Sequence, residues 1–236
     1  MAQEKEPTKV VIEEFDIDNF RQQALGTFEK YKNLIYGGLL ALIVVVGGLY
    51  FYFNMYSGPR EKTAQESIFK AEYYFSIDSF QLALSGRELP GQVDASFMGF
   101  LDIIAQYGGT AAGKRATYYA GICLVRLGKF DEALKYLEKS GTADPLLQAN
   151  TYGLIGDCKA ELGDMDAAEK FYIKATTTYP NAAMTPVHLR KLGLFYSDVR
   201  ENNEKALATF ESIRKDYPKA AQEMGIDKDI VRVGGK

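Results

Sequence analysis

Apolar and polar positions follow two different regimes along the chain. From Leu34 to Tyr56 the run "LIYGGLLALIVVVGGLYFYFNMY" contains no charged residue. About 20 apolar residues, rising about 1.5 Å each, cross a hydrocarbon core of roughly 30 Å. The run therefore predicts one membrane-spanning helix. Tyr31 and Tyr36 lie toward one end, and Tyr50, Phe51, Tyr52, Phe53 and Tyr56 toward the other. That distribution suits the two interfaces of a bilayer. A buried core helix is the competing reading. A cleaved signal peptide fits less well, because a long tail precedes the run and the run exceeds the usual apolar stretch of such peptides. Upstream, "DIDNFRQQALGTFEKYKN" repeats Ile17, Phe20, Ala24, Leu25, Phe28 and Tyr31 at threes and fours. This predicts a short amphipathic helix that either lies on the membrane surface or extends the span. The first dozen residues read as a disordered polar tail.

Beyond the span the period changes to that of packed helices. No period-two alternation bounded by hairpin turns occurs. "SGPREK", Ser57 to Lys62, reads as a short break before the next domain. Then "LVRLGKFDEALKYLEKS" (Leu124 to Ser140) is echoed by "KAELGDMDAAEKFYIKA" (Lys159 to Ala175). Gly121, Gly128, Phe130, Ala133 and Pro145 recur 35 residues on as Gly156, Gly163, Met165, Ala168 and Pro180 (156 − 121 = 35). Each position has a physical reason. Gly121 and Gly156 are expected where two helices cross closely. Gly128 and Gly163 are expected to end the first helix in a left-handed conformation. Ala133 and Ala168 supply the small contact on the second helix, and Pro145 and Pro180 are expected to stop that helix. A third copy runs from Lys191 to Pro218 with Gly193, Ala206 and Phe210, its turn "SDVRENNEK" about one residue longer. An earlier copy runs from Gln65 to Gly86, with Ala71, Phe80 and Ala83; "GRELPGQVDASFMG" interrupts its second helix. "FLDIIAQYGGTAAG" supplies a further helix ended at Gly108 and Gly109. The C-terminal "DKDIVRVGGK" predicts a short cap that buries Ile226, Ile230 and Val231, because an open helical stack must cover its final apolar face.

The predicted architecture is all-α: one N-terminal transmembrane helix followed by a helical solenoid of repeats. The domains are a tail (1–33), the span (34–56) and the repeat domain (57–236). The 35-residue spacing and its residue types resemble the tetratricopeptide repeat, a helix–turn–helix unit of about 34 residues. Charge bias sets the topology only weakly. Arg21, Lys30 and Lys32 precede the span, and Arg60, Lys62 and Lys70 follow it. A short tail before a signal-anchor helix favours the tail in the cytoplasm and the repeat domain across the membrane.

Composition narrows the chemistry. A net charge of −3 argues against nucleic acid as a partner, since affinity there comes largely from neutralising phosphates. Cys123 and Cys158 occupy equivalent repeat positions. Neighbouring helices pack about 8–10 Å apart, whereas a disulfide needs Cα atoms within about 7 Å, so two buried free thiols are expected. His188 is the only histidine, which excludes a multi-histidine metal site. No Gly-x-Ser-x-Gly elbow supports a hydrolase, and His188 reads as a half-exposed residue near a helix start. "QYGGTAAGKRAT" superficially resembles a phosphate loop, but Arg115 follows Gly113-Lys114 where such a loop needs Ser or Thr, and no strand precedes it. Asp131, Glu132, Asp164 and Asp166 suit the first turns of helices, where they favour the dipole. Gly37, Gly38, Gly47 and Gly48 in the span would let another helix approach. No enzyme activity, cofactor or metal is expected.

The order of tail, single span and repeat domain, together with "FLDIIAQYGGTAAGKRATYYAGICLVRLGKFDEALKYLEKS", resembles the YfgM-type ancillary subunits of the bacterial SecYEG translocon. The resemblance covers the chain from about Phe20 onward. It implies a repeat domain facing the periplasm from the inner membrane, association with SecYEG and with a PpiD-like periplasmic chaperone, and assistance to translocating polypeptides. A membrane-tethered scaffold for another envelope assembly is the alternative. Repeat positions place the concave protein-binding residues at Arg115, Tyr118, Ile122, Arg126, Asn150, Asp157, Glu161, Arg190 and Leu194. Tetratricopeptide domains that grip C-terminal carboxylates need a basic and amide cluster in this groove; Gly153 and Asp157 depart from that pattern.

Overall fold

The computed structural model describes residues 17–87, 96–141 and 144–235. The expected disordered tail and most of the interrupting segment after Gly86 lie outside the described residues. The chain divides into two compact units, 1–56 and 57–236.

The first unit is helical. Helix α1 runs from Ile17 to Phe51, so the juxtamembrane segment and the apolar run form one helix. A π-helical stretch, Tyr52–Ser57, follows. The helix is long and apolar enough to cross a membrane, and its most apolar window is 0% buried. The expected break at Ser57–Lys62 is absent: Ser57 closes the π-helical stretch, and Gly58 to Lys62 open α2. Pro59 is tolerated there because the first N–H groups of a helix have no intrahelical acceptor.

The second unit contains α2 (Gly58–Ser76), α3 (Phe80–Ser85), α4 (Phe100–Tyr107), α5 (Ala111–Arg126), α6 (Phe130–Lys139), α7 (Pro145–Glu161), α8 (Met165–Thr177), α9 (Thr185–Leu194), α10 (Asn203–Asp216), α11 (Pro218–Met224) and α12 (Ile226–Arg232). Among the described residues there is no strand; one isolated antiparallel bridge joins Arg87 and Phe97. The helices stack as pairs, α2/α3, α5/α6, α7/α8 and α9/α10, with α4 packed between α2 and α5.

The crossing positions explain the glycines. A Cβ at Gly121 would lie 2.6 Å from Leu137 Cδ2, one at Gly156 2.7 Å from the Tyr172 ring, and one at Gly193 2.4 Å from Phe210 Cε1. Ala71 and Ala83 are fully buried in the α2/α3 pair. Each first helix ends seven or eight residues past its crossing position in a left-handed residue: Asp78 (φ 58°), Gly128 (φ 71°), Gly163 (φ 83°) and Glu201 (φ 51°).

The extra residue of the last pair is not in its turn. Gly121 to Gly128 and Gly156 to Gly163 span seven residues, whereas Gly193 to Glu201 spans eight; from the left-handed residue to Ala133, Ala168 and Ala206 all three span five. The insertion is absorbed by a π-helical turn, Phe195–Val199, at the end of α9. One extra residue within a helix is what such a turn accommodates.

Two other expectations change. Pro145 does not stop α6, which ends at Lys139; it opens α7. Pro180 lies beyond the end of α8 at Thr177. Pro218 does both jobs, following α10 and opening α11. In the cap, Ile226 (0% exposed) and Ile230 (1%) are buried, but Val231 is 65% exposed and Val233 is buried instead. The inward face of α12 continues 226, 230, 233, a helical spacing of four and three that leaves 231 outside.

Candidate protein-binding groove

First helices of successive pairs place their side chains side by side. A groove of about 690 Å³ is lined by Phe75 of α2, Ile122, Val125 and Arg126 of α5, Phe130 of α6, Asn150, Leu154, Asp157 and Glu161 of α7, and Lys191 of α9. Five of the sequence-predicted residues, Ile122, Arg126, Asn150, Asp157 and Glu161, meet here. Leu194 lines an adjoining cavity of about 280 Å³ that shares Asp157, Glu161 and Lys191.

The groove has an apolar floor and fixed charges. Lys191 Nζ lies 2.7 Å from Asp157 Oδ2. Tyr172 donates from Oη to Asp157 Oδ1 at 2.9 Å. Burial and the adjacent Asp157 carboxylate push the Tyr172 phenol above its usual range, so it stays a donor. Arg126 is exposed, with its guanidinium 5.9 Å from the centre of the Phe80 ring. Glu161 is an exposed carboxylate at the opposite rim.

Three predicted residues are placed differently. Tyr118 is 7% exposed; it accepts a hydrogen bond from Asn150 Nδ2 at 2.5 Å and orients that amide. Arg115 pairs with Glu72 at 2.7 Å and lines a separate cavity with Lys114, Tyr118 and Leu147. Arg190 turns to the C-terminal cap, 2.8 Å from Asp229. Sequence reasoning missed Phe75, Val125, Phe130, Leu154 and Lys191. The signal for Lys191 was the Gly156 to Gly193 spacing (193 − 156 = 37), which puts Lys191 opposite Leu154 on successive first helices.

The phosphate-loop likeness has a structural answer. At the start of α5 the N–H groups of Ala111 and Ala112 donate to the Glu61 carboxylate, at 2.7 and 3.2 Å, and that of Gly113 donates to Thr110 Oγ1 at 3.0 Å. Glu61, from α2, occupies the position an anion would take. Partial burial raises its pKa, but the hydrogen bonds from Ala111 N–H, Gln65 and Ala112 N–H together outweigh this and hold the carboxyl below its ordinary value.

His188 is not half-exposed as expected. It is 4% exposed, and among the described residues neither ring nitrogen has a hydrogen-bond partner. Burial, helped by Lys191 and opposed by Asp157, holds its imidazole below the usual histidine range. Cys123 and Cys158 are buried free thiols. Burial pushes Cys123 up to about 12 and Cys158 up to about 11, so both are protonated at neutral pH and neither is a nucleophile. Asp131, Glu132 and Asp166 lie in first helical turns, and Asp164 caps α8 through Ala167 N–H at 3.2 Å. Among the described residues no three potential metal ligands cluster.

Three segments match models of the tetratricopeptide repeat: residues 115–145 and 189–220 match one model, and 149–181 another. They coincide with the α5/α6, α9/α10 and α7/α8 pairs. No curated protein matches the chain. The repeat domain is a tetratricopeptide-type protein-interaction scaffold, and proteins built on this repeat are generally non-catalytic.

Proposed function

We propose that the chain is a non-enzymatic, single-pass protein of the bacterial inner membrane, with its N-terminus in the cytoplasm and its repeat domain in the periplasm. In this reading it is an ancillary subunit of the SecYEG translocon. The repeat domain holds a PpiD-like chaperone near polypeptides as they emerge. One observation carries the proposal: the same chain has an uncharged run, 34–56, long and apolar enough to cross a membrane, and a groove of mixed apolar and charged character. A helix of that composition is stable in lipid. An apolar floor flanked by charges of both signs suits a protein segment rather than a small metabolite. The layout of tail, span and repeats, and the resemblance of the segment from Phe100 to Ser140, support the translocon over other envelope assemblies.

Crosslinking in intact membranes tests this. A photoreactive residue at Ile122 or Glu161 should give adducts with the periplasmic chaperone, and one at Leu40 adducts with translocon subunits. Adducts confined to an unrelated envelope complex would replace the translocon with that complex. A reporter active only in the cytoplasm, fused after Lys236, should be silent.

A further inference from the structure

Successive first helices face one another in a fixed register. Counted from the crossing positions Ala71, Gly121, Gly156 and Gly193, the residue three before on one helix and the residue five before on the next give the layers Ile68/Ala116, Tyr118/Thr151 and Gly153/His188. All six are buried. At the two ends of the register Glu66 is exposed and Arg190 turns to the cap. The first two layers hold no group that titrates near neutrality. The third does, because His188 of α9 fills the space beside Gly153 of α7.

One helical turn further on, four residues from Gly153 and three from His188, stands the ion pair of Asp157 and Lys191, with Nζ 2.7 Å from Oδ2. The two contacts are consecutive rungs between α7 and α9. Both carboxylate oxygens of Asp157 are engaged, Oδ2 by Lys191 and Oδ1 by the Tyr172 hydroxyl at 2.9 Å. Among the described residues the charges that act on the imidazole are Lys191, from its own helix, which opposes a second cation, and Asp157, from α7, which favours one. None from α8 or α10, the other helices packed on α9, acts on it. A buried charge needs a partner. An imidazolium at 188 has one carboxylate to turn to, and Lys191 already holds it.

We propose that His188 is an acid-operated release for the groove: a proton on its ring parts Lys191 from Asp157, and the bound partner leaves. This rests on the groove reading above and adds its regulation. Asp157 and Lys191 both line the groove and the adjoining cavity. Displacing the ammonium changes the charge pattern that the partner meets. Expelling the imidazole instead opens the layer between α7 and α9. Histidine is the side chain whose charge ordinarily changes in the mildly acidic range. Coupling of this kind is reciprocal: acid weakens the partner's hold, and a bound partner makes His188 harder to protonate.

The ring reports on itself, because the chain has a single histidine. The full chain, isotopically labelled at histidine and solubilised in detergent, is titrated by NMR. Lys191→Ala removes the competing cation and should raise the ring's midpoint; Asp157→Asn removes the favourable charge and should lower it. A midpoint unmoved in both variants, or a ring that stays neutral down to about pH 5, overturns the proposal whatever the partner. The groove is followed by the adducts that a photoreactive residue at Ile122 forms in membranes equilibrated from pH 7.5 down to about pH 5. Wild type should lose adduct yield by about threefold or more along the ring's own titration. His188→Phe, which fills the same space without taking up a proton, should lose little, and His188→Leu gives the same comparison with a smaller side chain. Equal losses in wild type and both variants overturn the release. Circular dichroism of the solubilised chain should stay constant over this range; a loss of helix that parallels the adducts makes acid unfolding the cause and also overturns it. Absence of Ile122 adducts even at pH 7.5 overturns the groove reading, while the ring midpoints still decide the coupling of His188 to Lys191 and Asp157.

Discussion

His188 packs against Gly153: a Cβ built on Gly153 would lie 3.1 Å from His188 Nδ1 and 3.2 Å from Cε1. The imidazole of α9 occupies the space that a side chain on α7 would fill. Among the described residues its nitrogens have no hydrogen-bond partner, and burial lowers its pKa in the folded state. The sign of the pH dependence follows. A histidine whose folded pKa is depressed takes up protons more readily when unfolded, so acid favours the unfolded state. Stability should be flat above the unfolded histidine pKa of about 6.5 and fall as the pH drops from there toward the folded pKa. Thermal unfolding of the detergent-solubilised chain at pH 7.5 and 5.5 measures this. His188→Phe should remove most of the loss in that window. An equal loss in both proteins would assign the acid sensitivity to other groups.

The crossing glycines should differ in cost according to what each new methyl meets. At Gly121 it meets Cδ2 and Cγ of Leu137, at 2.6 and 2.8 Å; at Gly193 it meets the larger, rigid ring of Phe210, three of whose atoms lie within 2.9 Å, and both side chains are buried. Overpacking typically costs about 1–3 kcal/mol. Gly193→Ala should fall at the upper end and Gly121→Ala at the lower, with Gly156→Ala, against the Tyr172 ring, between them. Leucine at Gly121 or Gly156 should cost more than alanine at either. Denaturant midpoints order the series, and an inverted order would undo the crossing register.

Much of this register was legible in the sequence, because glycine and alanine at fixed spacing report a backbone constraint directly. Gly128 and Gly163 announced left-handed helix ends and have them. Asp78 and Glu201 occupy the same conformation without the glycine signal. The π-helical turn at Phe195–Val199 was visible only as a residue too many, and sequence cannot say whether a helix or a turn absorbs it. The groove was partly legible for a related reason. Repeat register says which residues share a face, but not which are already engaged. Tyr118, Arg115 and Arg190 carry the right positions, yet each is tied to a neighbour, Asn150, Glu72 and Asp229. Those pairs join residues 32, 43 and 39 positions apart and leave no local trace.

Glu61 joins α2 to α5 by accepting from Ala111 and Ala112. Glu61→Gln keeps the shape but loses the charge that favours a helix N-terminus, and Glu61→Ala leaves both N–H groups without this acceptor. Loss of a capping acceptor costs about 0.5–2 kcal/mol; Glu61→Ala should fall in that range and Glu61→Gln below it. The carboxyl pKa is depressed in the folded chain. Its contribution is therefore present above the ordinary carboxylate pKa and is lost as pH falls through the folded value. Urea midpoints at pH 7 and pH 3.5 check both parts: the gap between wild type and Glu61→Ala should narrow at the lower pH.

The placement of Tyr118 and Arg126 separates binding from stability within one helix. Tyr118 is buried with its hydroxyl on Asn150, whereas Arg126 stands exposed at the groove rim over Phe80. Tyr118→Phe removes one hydrogen bond, worth about 0.5–1.5 kcal/mol, and should lower the melting temperature while leaving partner capture nearly unchanged. Arg126→Glu reverses a charge beside the apolar floor and forfeits the ring contact, whose loss at an exposed site costs about 0.5–1 kcal/mol. Its larger effect should be on capture, because a like-charged rim repels the partner group that the guanidinium attracts. Lys191→Ala should weaken capture less than Arg126→Glu, since Lys191 is already paired with Asp157. Copurification from membranes, read beside melting curves of the same preparations, should give opposite rankings for Tyr118→Phe and Arg126→Glu. If the two variants rank the same way in both measurements, the partner does not use this groove, and the outer face of the second helices becomes the surface to map.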